Sequence, residues 1–345
     1  MRLRRVDPAR AGLTRRRRGR GFSYHLPDGA AVDDPLVVDR IRALAIPPAW
    51  TEVWISPAPN GHIQAVGTDA AGRRQYRYHD EWRIARDAEK HDRVLRLATR
   101  LPRFREAVER DLTGGGLTRG RVLAGALRML DLAVFRVGSD QYAPNGGDDE
   151  GSFGLATLRV DHARVRRGVV LVDYLAKGGA QHSVTLHDPD LHRLVVSLRR
   201  GRSPDADLLG YRTPGGWHDV TAEDINARIK ELAGDEFTAK DLRTWSATVL
   251  AAVSLASVAM SGGGLVPTSQ RARRRAVVAA MGEVAEHLGN TPAVARRSYV
   301  DPRVIDRFDE GTTVCAALRR AGSGDLSDTA VREVMERAVR RMLTR

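Results

Sequence analysis

Around residue 92 the spacing of apolar residues changes period, and that change constrains the fold of this chain more than any other feature. Up to there, short strand-like runs alternate with turn residues: "GFSYHLPDG", "EVWISP", "GHIQAVGTD" and, beyond the "AAG" turn, "RRQYRYHDEW". Among them "RIRALAIPPAW" starts as a helix and has to stop at Pro47 and Pro48. Past residue 92 the apolar positions recur with a helical period, predicting helices over 91–111, 120–135, 222–233, 239–260, 268–288, 292–307 and 326–343. One β interlude interrupts them at 168–187, "GVVLVDYLAKGGAQHSVTLH", where Gly178 and Gly179 join two apolar runs as in a hairpin. The pattern predicts an α+β protein, with a small β-rich domain over 21–92 and a larger, mainly helical domain over 93–345 that carries one inserted hairpin or small sheet. With 345 residues and 42% apolar content, both can bury a core. No internal repeat is found, and the apolar face of the last helix (Val331, Val334, Met335, Ala338, Val339, Met342) reads as packing.

Charge narrows the function classes. The formal net charge is +13, which favours polyanions, and nucleic acid over small acidic substrates. Residues 1–20 hold nine arginines against Asp7 alone, with "TRRRRGR" at 14–20, and read as a basic arm, too polar to pack by itself and suited to phosphate. Cys315 is the only cysteine, so disulfides within the chain and thiolate-rich zinc sites are excluded, in keeping with a reducing, cytoplasmic setting. No apolar run reaches the roughly 18 residues of a bilayer span, and the charged N-terminus has no apolar stretch behind it, so neither membrane insertion nor a signal peptide is expected.

Of the 56 basic residues only four are lysine, Lys90, Lys177, Lys230 and Lys240. Where charge alone suffices arginine has replaced lysine, so a surviving lysine draws notice for its movable pKa. Lys90 and Lys230 sit in polar helical stretches and read as chance survivors. "LAKGGAQHS" around Lys177 does not complete a nucleotide-binding loop and lies between strands rather than before a helix. No ATP site is expected. The ten histidines lack paired metal-ligand spacing, and "GGDDEG" at 146–151 reads as a solvated turn, so no metal or other cofactor is expected either.

Three stretches carry candidate chemistry. In "LAVFRVGSDQY", 132–142, Gly138 reads as a helix cap and Arg136 falls in the last turn, where a cation suits the dipole. "FTAKDLRTWSATVLAA", 237–252, sets Lys240 and Arg243 one turn apart on a long apolar helix, either as functional cations or with stems lying along apolar surface. "LGNTPAVARRSYVDP", 288–302, starts a helix at Thr291 and Pro292 and carries Tyr299 about two turns in, either as a core aromatic or as a reactive phenol near Asn290. Two arginines, a hairpin lysine, an amide and a tyrosine suit phosphoryl transfer without metal. Guanidiniums hold the non-bridging oxygens, the phenol attacks, and Lys177 gives the leaving oxygen a proton that arginine would hold too tightly.

At these residues the chain resembles the type IB DNA topoisomerases, in their small bacterial and poxvirus-like branch. The likeness is collinear from "GFSYHLPDG" through "RSYVDP": "LAIPPAWTEVWISPAPNGHIQAVGTDAAGRRQYRYHDEW" is similar to the N-terminal DNA-clamping domain, and "VFRVGSDQYA", "YLAKGGAQH", "FTAKDLRTW" and "LGNTPAVARRSYVDP" to the active-site blocks in order. The resemblance implies an arginine clamp of Arg136 and Arg243, Lys177 as general acid, Asn290 as a donor to a phosphate oxygen, Tyr299 as nucleophile and Lys240 as an auxiliary phosphate contact. It also implies that Gln75, Tyr76 and Tyr78 touch DNA from the major-groove side, which suits a strand with both tyrosines on one face. Two positions depart from the family: Asn290 stands where poxvirus members have histidine, and Ala176 where glycine usually precedes the lysine.

The resulting expectation is a monomeric, nucleoid-associated enzyme that closes on double-stranded DNA as a C-shaped clamp. It would break one strand through a 3′-phosphotyrosyl bond, let the free end swivel and reseal it, with neither nucleotide nor metal. A site-specific tyrosine recombinase shares the catalytic parts, but its signature has histidine two residues before the second arginine, where this chain has Asp241. A non-enzymatic basic DNA-binding protein would explain the charge but not the ordered blocks.

Overall fold

The alternating segments of the first ninety residues form five strands, β1 (Leu13–Arg18), β2 (Gly21–His25), β3 (Thr51–Ile55), β4 (Ile63–Thr68) and β5 (Arg74–Tyr78). In this computed structural model, which describes residues 2–133, 135–138, 152–176 and 179–344, they make one antiparallel sheet in the order β2-β1-β3-β4-β5. Alternation turns Val53 and Ile55 to the same side, where they pack with Leu13, Ala65 and Ile41 of α1 (Pro35–Ala43). The carboxylate of Asp34 caps α1 by accepting from Leu36 N at 2.9 Å. Residues 1–90 form one compact unit and residues 91–345 another.

The basic arm expected over residues 1–20 does not fold by itself but joins the domain, β1 being an inner strand of this sheet. Arg15 shows why like charge does not prevent this. Its guanidinium donates to the carbonyls of Ile46 (3.1 Å), Pro47 (3.0 Å) and Trp50 (2.6 Å) and stacks on Phe22, while Arg16, Arg17 and Arg18 stay exposed. Upstream, Arg4 pairs through its backbone with Asn60 and His62. Gly12 is required where the chain enters β1, since a Cβ there would lie 2.2 Å from Trp54 Nε1.

The helical periodicity yields α2 (Asp80–Leu112), which starts before the predicted residue 91 and runs on into the second unit, and there α3 (Arg119–Ala133), α5 (Ala222–Ala233), α6 (Ala239–Ser261), α7 (Gln270–Leu288) and α11 (Thr329–Leu343), while α4 (Pro189–Arg199) and α10 (Cys315–Ala321) lie outside the predicted helices. The predicted helix 292–307 is two short ones, α8 (Pro292–Ser298) and α9 (Arg303–Asp309), parted at Asp301 and Pro302. Pro302 has no N–H to continue the ladder. The interlude is a three-stranded antiparallel sheet, β6 (Ala163–Arg166), β7 (Val169–Ala176) and β8 (Ala180–Leu186), in which β7 and β8 pair up to Ala176 and Ala180. A second hairpin, β9 (Gly210–Thr213) with β10 (Gly216–Asp219), leads into α5.

The core of this unit centres on α6, which buries Leu242, Trp245, Val249, Val253, Leu255 and Ala256. By length and mean hydropathy alone α6 matches a membrane-crossing helix, with most of that stretch buried inside the unit. Interspersed Ser and Thr break its apolar residues into short runs and mask that length in the sequence. On α11, Val331, Met335, Val339 and Met342 are buried in the same core.

Candidate active site

Each cation at the site is placed by backbone features that its neighbours dictate. Arg136 lies three residues past the end of α3, not in its last turn as predicted. Its segment is held by Leu155 N donating to Arg136 O (2.8 Å) and Ala156 N to Val137 O (2.7 Å). That approach depends on two glycines in contact: a Cβ on Gly154 would lie 2.3 Å from Gly138 Cα, and Gly138 has φ +87°. Gly138 therefore serves a chain crossing rather than a helix cap.

Lys240 and Arg243 occupy the first turns of α6. The backbone N–H and hydroxyl of Thr238 both donate to Asp241 Oδ2 at 3.0 Å, and Arg93 on α2 donates twice to Asp241 Oδ1 (3.1 and 2.8 Å). Asp241 thus anchors the start of the helix that carries both cations. Lys240 is exposed, whereas Arg243 is only 5% exposed and donates to Leu288 O at 3.0 Å. Burial lowers the Arg243 pKa; the Tyr299 phenol opposes that shift and Arg136 adds to it.

Asn290 and Tyr299 come from the turn after α7 and the end of α8. Gly289, at φ +60°, closes α7 as a left-handed cap, and Thr291 caps α8 by accepting from Val294 N at 3.3 Å. Between them Arg136 donates to Gly289 O (3.1 Å) and to Asn290 Oδ1. Asn290 Nδ2 is buried with no hydrogen-bond partner among the described residues, a donor left for something else. Tyr299 is the residue that ends α8 rather than one inside a longer helix. Its ring centroid lies 5.5 Å from the Arg243 guanidinium carbon. Its carbonyl faces Thr248 Oγ1 of α6 at 3.3 Å, and the same oxygen accepts from Asp301 N at 3.2 Å. Thr248 Oγ1 also lies 2.8 Å from Thr244 O, so the hydroxyl fastens the tyrosine segment to the helix that carries Arg243.

An open pocket of 530 Å³ results, lined among the described residues by Arg136, Val137, Asn226, Lys230, Thr238, Ala239, Lys240, Arg243 and Tyr299. Four of the expected site residues meet in it, with Asn290 bonded to one of them. Lys177 lies outside the described residues, as does the acidic turn 146–151. Asn226 and Lys230 join the site without any sequence motif announcing them, although their spacing by one turn places them on one face of α5. Behind the pocket, burial pushes the Tyr174 phenol up to about 12 and lowers the His182 pKa, the latter with help from Arg243 and Arg136. A larger cavity of 640 Å³ shares none of the first pocket's lining residues; Asp131, Glu286, Asp325 and Glu336 line it together with Arg332, His182 and His287.

In the N-terminal unit, Tyr76 and Tyr78 on the edge strand β5 are 43% and 44% exposed, with rings stacked at 6.0 Å. Gln75 is engaged, its amide donating to Asp69 Oδ2 at 2.9 Å. Hydrogen bonds from Arg73 hold the Asp69 carboxyl down at about 2.

A β-rich unit is followed by a mainly helical one, and the latter opens an arginine-bearing pocket onto a tyrosine with no carboxylate among the described lining residues. Residues 79–314 match the family model of the eukaryotic DNA topoisomerase I catalytic core, and residues 21–69 match the N-terminal domain of bacterial DNA topoisomerase IB. The chain belongs to the type IB DNA topoisomerases, and DNA is its partner. It is 30% identical to the DNA topoisomerase 1B of Acanthamoeba polyphaga mimivirus over 84% of this chain and 85% of that protein. With the DNA topoisomerase I of monkeypox virus it shares 21% identity, and with the DNA topoisomerase 1B of vaccinia virus (strain Copenhagen) 20%, in each case over 70% of this chain and 71% of the viral one.

Proposed function

We propose that the chain relaxes supercoiled DNA by transient single-strand cleavage, with Tyr299 as the nucleophile. The phenol gives its proton to solvent as its oxygen attacks a backbone phosphorus, the bond to the 5′ oxygen breaks, and a 3′-phosphotyrosyl link holds the strand while the free end swivels. Arg136 and Arg243 bind the non-bridging oxygens and stabilise the extra charge of the pentavalent transition state. Asn290 gives its spare amide hydrogen to one of those oxygens, and Lys240 contacts phosphate beside them. Lys177 is assigned the proton that the departing 5′ oxygen takes, on the strength of its hairpin sequence and the family resemblance. Attack by the 5′ hydroxyl reverses each step. Since one phosphodiester replaces another at similar energy, the cycle needs no nucleotide, and the guanidiniums supply the charge that a metal would otherwise bring. The same reading has the protein act as a monomer on nucleoid DNA, with Gln75, Tyr76 and Tyr78 as additional DNA contacts.

The observation that supports this reading most is the pocket in which Arg136, Lys240 and Arg243 surround Tyr299 with no carboxylate among its described lining residues. The test is incubation with negatively supercoiled plasmid in EDTA without ATP. Stepwise relaxed topoisomers are expected; recombinant products, or gel retardation alone, would overturn the proposal. Tyr299→Phe is expected to bind DNA as the parent does and to form no covalent adduct. Lys177→Ala is expected to cleave slowly on ordinary DNA and to recover when the 5′ leaving atom is sulfur, because a thiolate leaves without a proton.

A further inference from the structure

The charge in the pocket exceeds what one phosphate needs. Arg136, Lys230, Lys240 and Arg243 line it, and no carboxylate does among the described residues. A phosphodiester brings one negative charge, and its pentavalent state two. Four acids of this region are already occupied by arginines, Glu231 by Arg228 (2.7 Å), Glu236 by Arg96 (2.6 Å), Asp224 by Arg119 (2.6 Å) and Asp241 by Arg93 (2.8 Å). The cations of the pocket are therefore left for a ligand that carries more than one anionic group.

The four cations also fall into two pairs. Arg136 and Arg243 are the inner pair, one bonded to Asn290 and the other mostly buried beside the Tyr299 ring. Lys230 and Lys240 are exposed. Their helices are joined by Asn226, whose Oδ1 accepts from Ala239 N at 3.2 Å while its Nδ2 donates to Ala222 O at 3.0 Å. That bond holds Lys230, one turn along α5 from Asn226, in a fixed relation to Lys240 at the start of α6. Successive phosphates of one strand rise by only about 3.4 Å along the duplex axis, so a second one lies within reach of a rim that receives the first.

Resting on the reading of this pocket as the cleavage site, we infer that Lys230 binds the backbone phosphate next to the one Tyr299 attacks, so that the pocket holds two consecutive phosphates of the cleaved strand. Only a cation is required of the residue, which suits an exposed side chain free of catalytic pKa demands.

The test uses the full chain, its Lys230→Gln and Lys230→Arg variants, and duplexes with one uncharged methylphosphonate in place of each phosphate flanking the mapped cleavage position. On unmodified DNA, Lys230→Gln should bind and cleave about tenfold less well and should lower the slope of log K against log salt by about one, with Lys230→Arg near the parent. On the duplex neutral at the contacted phosphate, parent and Lys230→Gln should become equal. A loss that stays the same on every methylphosphonate duplex, or no loss on unmodified DNA, overturns the inference. Binding and covalent adduct are measured separately. A parent that binds but forms no adduct removes Tyr299 from its proposed role, and the salt slope still decides whether Lys230 meets a phosphate.

Discussion

Thr248 is the residue on which the placement of the tyrosine most depends. It is 1% exposed and serves a carbonyl and an N–H of the segment 299–301, groups that no helix satisfies. The hydroxyl's one hydrogen lies nearer Thr244 O (2.8 Å) than Tyr299 O, so Thr248→Val, which keeps the shape, chiefly removes the acceptor of Asp301 N, at a cost of about 1–3 kcal/mol for the buried donor left unpaired. Cleavage and religation should slow together by about tenfold in single turnovers, leaving their equilibrium unchanged, and Thr248→Ser should restore both; a variant that only melts earlier, with unaltered rates, would show a role confined to stability. His182 provides the pH counterpart. Its pKa is lowered in the folded chain by burial and by Arg243 and Arg136, so below the ordinary histidine value of about 6.5 the unfolded chain takes the proton first and stability falls with pH. Between pH 7.5 and 5 the melting temperature of the parent should therefore drop more than that of His182→Gln. Tyr299, Arg136, Arg243 and Asn290 are legible from ordered sequence blocks. Thr248 is not, because what defines it is contact with a residue 51 positions away, and Lys230 is not, because only the folding of α5 beside α6 brings it to the pocket.

Among the elements, the crossing at Gly138 and Gly154 decides where Arg136 points. Gly154→Ala should destabilise the protein by about 1–3 kcal/mol through overpacking against backbone and should slow adduct formation as well. Gly282, inside α7, faces open space, with no heavy atom within 4 Å of where a Cβ would stand, so Gly282→Ala should stabilise by about 0.5–1 kcal/mol in a urea melt. The long helices are readable since three or more turns display a 3.6-residue period. The seven-residue α10 shows barely two turns and has no capping side-chain bond, so neither period nor cap betrays it. β1 stays hidden for a different reason: only Leu13 is buried and Arg15 half-buried, while Arg16, Arg17 and Arg18 are exposed on both faces, so no apolar alternation shows.

Across the whole molecule, stability and binding rest on different charges. Arg105 of α2 pairs with Asp131 of α3 (2.8 Å) and Glu336 of α11 (2.7 Å), and Arg332 meets the same Asp131 at 3.2 Å. Burial pulls the Arg105 pKa down, yet the two carboxylates outweigh it and raise the net value. Arg105→Ala should cost about 3–5 kcal/mol, read by urea denaturation, since it strands buried carboxylates. Added salt should barely touch this cluster while weakening DNA binding steeply.

The cationic pocket has a practical corollary. A basin of such charge does not wait empty in a cell extract; it collects whatever polyanion is at hand. Material purified gently should carry an absorbance at 260 nm that a high-salt wash strips away, and sulfate or phosphate buffers should blunt its activity where chloride at equal ionic strength does not.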